Sequence, residues 1–222
     1  MEAGRVAREA DVAPAPESTA GRSAGWTPAD PGPLGLGAFA MTTFVLSMYN
    51  ADLINAGGLL VVLSLALVYG GLVQLLAGMW EFRTGNTFGA VAFCSFGAFW
   101  ISYFVLVRLV IIPKLIAPSA IDNAIAVYLY GWAIFTTYMF VASLRTTGAV
   151  ALVFLLLAVT FWILAIGNAS LAGGTATTNS TIKLGGWVGL VTAAAAWYAS
   201  FAAVTNSTFG RVVLPVFPLR RA

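Results

Sequence analysis

The residues of this chain that could do chemistry are few, and most lie inside apolar sequence. There is no histidine and a single cysteine, Cys94. That excludes a histidine-based zinc site, a Ser-His-Asp relay and a histidine proton relay, and a lone thiol closes no intrachain disulfide. What remains is hydroxyls, amides and one internal carboxylate: Thr42, Thr43, Ser47 and Asn50; Gln74 and Glu81; Asn86, Thr87, Ser95 and Ser102; Thr136 and Thr137; Thr160 and Asn168; Thr192 and Ser200. A single Ser or Thr is read most simply as bonding the carbonyl one turn back. Asn50, Gln74, Asn86 and Asn168 resist that reading, because an amide has donors and an acceptor to satisfy. Within the apolar runs there is no carboxylate pair, nucleophile–base pair or metal-ligand cluster, so neither an enzyme nor a cofactor or metal is expected. The set describes a path with a neutral polar lining. It lacks the acidic ring that favours cations and the arginine cluster that holds a large polyanion. It suits a small solute carrying little charge. Glu81 has two readings: a proton-coupling or gating group, or an interfacial ion pair with Arg83 or another arginine.

The elements that must position these groups follow from composition. Of 222 residues, 60% are hydrophobic and 9% charged, against about 25% charged in an ordinary soluble domain. Apolar runs fall near 35–54, 57–80, 87–107, 124–144, 149–167 and 184–204, each close to the roughly 20 residues that cross a bilayer as a helix. The runs are continuous rather than alternating, which sets a β-barrel aside. The expected fold is therefore an all-α integral membrane protein with six transmembrane helices over residues 34–208. It is flanked by a disordered N-terminal tail, 1–33, and a C-terminal tail, 209–222. With six spans both ends share a side. That side holds Arg5, Arg8, Arg22, Arg83, Arg145, Arg211, Arg220 and Arg221, against Arg108, Lys114 and Lys183 on the other. The excess predicts that both tails are cytoplasmic, in a plasma (inner) membrane. The basic residues are scattered, so no nucleic-acid partner is expected despite a net charge of +3. Glycines four apart, Gly85 with Gly89 and Gly185 with Gly189, and the face Gly70–Gln74–Gly78 are candidate helix contacts. The seven tryptophans, Trp100 among them, are candidates for interfacial belts.

Several motifs occur in a recognisable order. Asp30-Pro31-Gly32-Pro33-Leu34-Gly35-Leu36 resembles the Asn-Pro-Ala-Pro-Leu-Gly-Leu signature of the acetate uptake transporter family, the succinate–acetate permeases. Tyr69-Gly70-Gly71 through Gln74, Ala77-Gly78 and Glu81-Phe82 are similar to that family's second helix. Gly85-Asn86-Thr87-Phe88-Gly89 through Phe99-Trp100 resemble its third, and Ala165-Ile166-Gly167-Asn168 and Phe209-Gly210-Arg211 also match. The resemblance implies a homo-hexamer in which each six-helix subunit has its own pore. It implies acetate as the main substrate, with other short monocarboxylates or succinate as further cargo, moved by proton-linked uptake. It places a pore constriction on Phe39, Phe96 and Leu157 and substrate contacts on Thr42, Gln74, Asn86, Thr87 and Asn168. It makes Ala196 a pore-lining position that affects which acid fits. Two departures stand out: Asp30 replaces the signature Asn, and Phe96 stands where relatives often have Tyr. The first puts an anion at the pore mouth. The second leaves an all-apolar ring that gates by dewetting and favours the neutral acid. The alternatives are a passive acetate or acetic acid channel and a membrane sensor of such acids.

Overall fold

The computed structural model describes residues 26, 28–55, 57–172 and 178–219. Most of the N-terminal segment expected to be disordered, and Arg220 and Arg221, lie outside them. Six helices account for the apolar runs: α1 Gly32–Asn50, α2 Gly58–Thr84, α3 Thr87–Ile111, α4 Pro118–Ser143, α5 Gly148–Ala169 and α6 Ser180–Phe209. Each is long and apolar enough to cross a membrane. The outward surface is apolar as well, with Leu60, Val61, Val127, Val141, Trp187 and Phe201 all exposed. Such a surface belongs against lipid, where a helix satisfies its own backbone. The chain is an all-helical, multi-pass integral membrane protein.

The helix ends follow local chemistry rather than hydropathy. Prolines occupy the first turn of α1 and α4, where a missing N–H costs nothing. Side-chain oxygens of Asn86, Thr147 and Asn179 accept from the amides of Gly89 (3.1 Å), Val150 (3.3 Å) and Ile182 (2.8 Å) and so cap α3, α5 and α6. Gly85 at φ 79° and Gly210 at φ 63° end α2 and α6 in the left-handed conformation. α1 stops at Asn50, short of the apolar run's end, because Asp52 takes φ 63° and the Leu53 amide turns back to the Met48 carbonyl. α4 begins at Pro118 rather than near 124, and α6 at Ser180 rather than 184.

Neighbouring helices run antiparallel, so the start of α1 and the end of α6 share one end of the bundle, termed proximal below. Glycine sets how closely they pack. A methyl group on Gly186 would collide with the backbone of Asn50 and Ala51, and one on Gly78 would lie 2.5 Å from the Cys94 amide nitrogen. The expected glycine pairs do not act as pairs. Gly185 packs on Leu164 of α5, whereas Gly189 packs on Ser47 of α1. Gly85 has open space around it and serves only as the α2 cap. Inside α2, Val68–Val73 is wound as a π-helix, as is Leu106–Ile111 at the end of α3; such turns are common near functional sites.

The seam between α3 and α5 is different. Their backbones stay apart, and aromatic rings fill the space. Phe88 meets Phe154 (centroids 5.1 Å), Phe96 stacks on Phe161 (6.4 Å), and Phe99 meets Phe161 edge to face (5.3 Å). α4 lies outside α5, where Trp162 donates to the Thr137 hydroxyl at 3.1 Å. The segment after α6 is strapped across the proximal end of α5. Gly148 and Ala149 amides donate to the carbonyls of Phe217 (2.7 Å) and Val216 (3.2 Å), and the Asn206 side chain clamps Val213 and Leu214.

Candidate functional site

Phe39 of α1, Phe96 of α3, Leu157 of α5 and Ala196 of α6 share one buried cluster. They are 4%, 2%, 4% and 0% exposed, so all four side chains are buried. Phe39 and Phe96 lie 5.9 Å apart between centroids with planes tilted by 56°, a favourable aromatic geometry. Phe96 is the hub, also touching Trp132, Phe135, Phe154 and Phe161. Because it is a Phe, it brings no hydroxyl to these contacts.

The buried polar groups divide into satisfied and unsatisfied. Thr42 is fully buried, donates to the Ala38 carbonyl at 2.9 Å and packs against Gly70. Thr136, Thr137, Thr160 and Thr192 likewise bond the carbonyl four residues back, the ordinary behaviour of a helical hydroxyl. Gln74 is 1% exposed and its Oε1 has no partner. Gly70 sits against Thr42 and the Leu75 amide against Gly97, which puts Gln74 at the depth of Phe39 and Phe96. Two more buried atoms lack a partner: Thr43 Oγ1 and Trp100 Nε1. Trp100, 2% exposed, is therefore no interfacial belt residue. Its position four residues after Phe96 was the available signal, as was that of Thr43 four after Phe39.

The remaining candidates sit at the two ends. Asn86 and Thr87 are exposed at the proximal start of α3, where Asn86 uses Oδ1 for the cap. Asn168, half-buried near the opposite end, donates to its own helix at Leu164 (2.8 Å). The structure thus puts Thr42 and Gln74 near the depth of Phe39 and Phe96, and Asn86, Thr87 and Asn168 toward the two ends.

Glu81 is 2% exposed at the proximal end of α2. The Thr84 hydroxyl is shared between the Glu81 carbonyl (2.9 Å) and its carboxylate Oε2 (3.1 Å). Methyl groups placed on Gly89 and Gly32 would come within 2.7 and 3.5 Å of its Oε1. The carboxylate is therefore lodged between the first turns of α3 and α1, whose dipoles favour an anion. The expected ion pair with Arg83 does not form. Arg83 donates instead to the Trp26 carbonyl at 3.0 Å, and the ion pair among the described residues is Lys183–Asp52 at 2.6 Å. Asp30 accepts from the Gly32 amide at 2.8 Å, next to this site. No cluster of three or more Cys, Asp or Glu that could hold a metal occurs among the described residues.

Comparison with known proteins agrees with this architecture. Residues 16–221 match the model of the GPR1/FUN34/yaaH family. The chain is 42% identical over 195 residues to acetate permease A of Emericella nidulans, covering 85% of this chain and 65% of that protein. It is 41% identical over 191 residues to the succinate-acetate/proton symporter SatP of Escherichia coli, covering 85% and 95%. The solved structure of the bacterial acetate channel SatP superposes with a TM-score of 0.75 at 38% identity, over 85% of this chain and 99% of that one. The resemblance first visible in the Asp30–Leu36 segment thus extends through all six helices, and the chain belongs to the GPR1/FUN34/yaaH family.

Proposed function

We propose that this protein moves acetate and similar short carboxylic acids across a membrane, through a path inside each subunit between α1, α3, α5 and α6. The observation that carries the reading is the buried apolar cluster that holds Phe39, Phe96, Leu157 and Ala196, with the unpartnered Gln74 oxygen at the depth of its two Phe rings. An apolar ring opposes the passage of ions by dewetting. A protonated carboxylic acid is small, neutral and carries one O–H donor, which matches the acceptor that Gln74 presents. Thr42 shapes the same wall. Asn86 and Thr87 serve the proximal mouth and Asn168 the distal one. The acetate permease, symporter and channel to which the chain is similar point to the same cargo. Succinate is a second cargo to test.

In this reading the proton travels on the substrate or by way of Glu81. A buried carboxylate between two helix starts, with no basic partner among the described residues, suits proton exchange or gating at the proximal mouth. The arginine excess puts that mouth, with both termini, on the cytoplasmic side of the plasma membrane. A homo-hexamer and a non-enzymatic role complete the proposal.

The test is labelled-acetate uptake by the purified protein in liposomes, scored above protein-free liposomes, with and without an imposed proton gradient. Accumulation that needs the gradient supports proton-linked transport. Equilibration that ignores it makes the protein a passive channel. Absence of protein-dependent flux, with acetate still bound, overturns transport in favour of a sensor.

A further inference from the structure

The chain beyond α6 folds back onto the bundle. α6 has 30 residues, roughly 45 Å at 1.5 Å per residue, against about 30 Å of hydrocarbon, so its ends leave the apolar core of a bilayer. Ser200 donates to the Pro33 carbonyl at 2.7 Å and so marks the level at which α1 begins. Phe209, at the end of α6, lies roughly 13 Å past that level. The chain turns at Gly210 and runs back along α6. Asn206 holds Val213 and Leu214, and the Tyr198 hydroxyl donates to the Pro215 carbonyl at 2.7 Å. The strap, residues 212–219, thus returns to the level where α1 and α5 begin, at the proximal membrane surface.

Backbone and side chains of the strap are arranged in opposite ways. The carbonyls of Leu214, Pro215, Val216 and Phe217 all accept hydrogen bonds, from Asn206, Tyr198, Ala149 and Gly148, and the amides of Val213, Leu214 and Leu219 donate. Pro215 and Pro218 have no amide to satisfy. Water would satisfy these groups at an exposed loop, whereas the edge of the hydrocarbon requires internal partners. The side chains are turned outward. Val212 and Phe217 are 78% and 61% exposed, and Phe209, Val213 and Leu219 are exposed as well. Phe217 holds φ 54°, an unfavourable conformation for a bulky residue, while its carbonyl accepts from Gly148. An apolar patch of this kind on a satisfied backbone marks an interaction surface.

Its charge identifies the partner. Arg211 at the start of the strap is exposed, as is Arg145, next to the Thr146 carbonyl that accepts from Leu219. Arg220 and Arg221 follow in the sequence, outside the described residues, and no Asp or Glu occurs after Asp122. We propose that the strap is an interfacial anchor for an anionic membrane surface: Val212, Phe217 and Leu219 enter the headgroup layer, and Arg145 and Arg211 hold anionic lipid headgroups. Apolar side chains set beside basic ones are the composition that binds such a surface. The anchor does not depend on what the bundle transports. Through the Gly148 and Ala149 amides it ties the first turn of α5 to the plane of the bilayer.

The experiment uses Val212→Cys in a Cys94→Ala background, labelled with a fluorophore and reconstituted in nanodiscs; Cys94→Ser replaces that background if it does not assemble. Phospholipid carrying a nitroxide near the headgroup should quench the label, and iodide in the water should not. Nitroxide-labelled phosphatidylglycerol should quench at a lower mole fraction than the phosphatidylcholine analogue. Arg145→Gln with Arg211→Gln should shrink that preference about 5-fold per arginine, the effect of one basic residue at an anionic surface. Quenching by iodide places the strap in water and overturns the proposal. Quenching by neither probe assigns the patch to a contact between copies of the chain and overturns it too. A preference for phosphatidylglycerol that is absent, or untouched by the arginine substitutions, removes the headgroup contacts and has the same consequence.

Discussion

The α1–α6 seam and the α3–α5 seam close the same bundle by opposite means. Between α1 and α6, Gly186 brings backbones into contact by resting on Asn50 and Ala51, and Gly189 leaves room for the Ser47 side chain. Between α3 and α5 the backbones stand apart, and Phe88, Phe96, Phe99, Phe154 and Phe161 fill the gap. A glycine contact has no side chain to move aside, so its geometry is fixed by the fold. A ring contact opens by rotamer changes of side chains while the helices stay in place. In lipid, where association depends on packing rather than on hydrophobic expulsion, this divides the molecule into a rigid frame and an adjustable seam. The candidate path follows the adjustable seam.

The largest effect should come from breaking the frame. Gly186→Val drives a branched side chain into the α1 backbone, an overpacking change worth about 3 kcal/mol or more, and should abolish a monodisperse peak in size-exclusion chromatography. Phe161→Leu, in the adjustable seam, should leave that peak unchanged. Equal behaviour of the two would erase the distinction. Next in size is Glu81→Gln, which keeps the shape of the buried side chain and removes its titration. If Glu81 handles the proton, the variant should lose gradient-driven accumulation of acetate and keep downhill equilibration. Accumulation at the wild-type level would reassign the proton to the substrate alone. Gln74→Ala should lower acetate flux about 5- to 10-fold, the scale of one lost hydrogen bond to a buried group; full flux would make Gln74 part of the frame. The smallest effect belongs to Lys183→Ala. Its ion pair with Asp52 is solvent-exposed on both sides, so thermal stability should change by less than about 1 kcal/mol.

The six helices were legible in the sequence because lipid demands continuous apolar runs of one length. The ends of α1 and α6 were less so. The α1 run continues past the turn at Asp52, and the polar first turn of α6, Ser180 to Lys183, masks a helix that Asn179 caps. Gly185 and Gly189 were legible as contact residues but not as contacts to different helices, since spacing does not name the partner. Thr43 and Trp100 were passed over for a related reason. A buried polar atom without a partner is a fact about neighbours, and no residue type announces it. The lodging of Glu81 between the starts of α1 and α3 is a tertiary fact too, which is why pairing with Arg83, two residues away, was a reasonable expectation that fails.

The central claim to test is that the α3–α5 seam is the path. The most direct measurement is the substrate profile of Leu157→Ala in proteoliposomes, comparing labelled acetate with labelled lactate. Shortening Leu157 removes bulk from the adjustable seam opposite Phe39 and Phe96. Lactate, excluded or slow in the wild type, should then cross while acetate flux is kept. An unchanged profile in a protein that folds and carries acetate would contradict it and place the path elsewhere in the bundle.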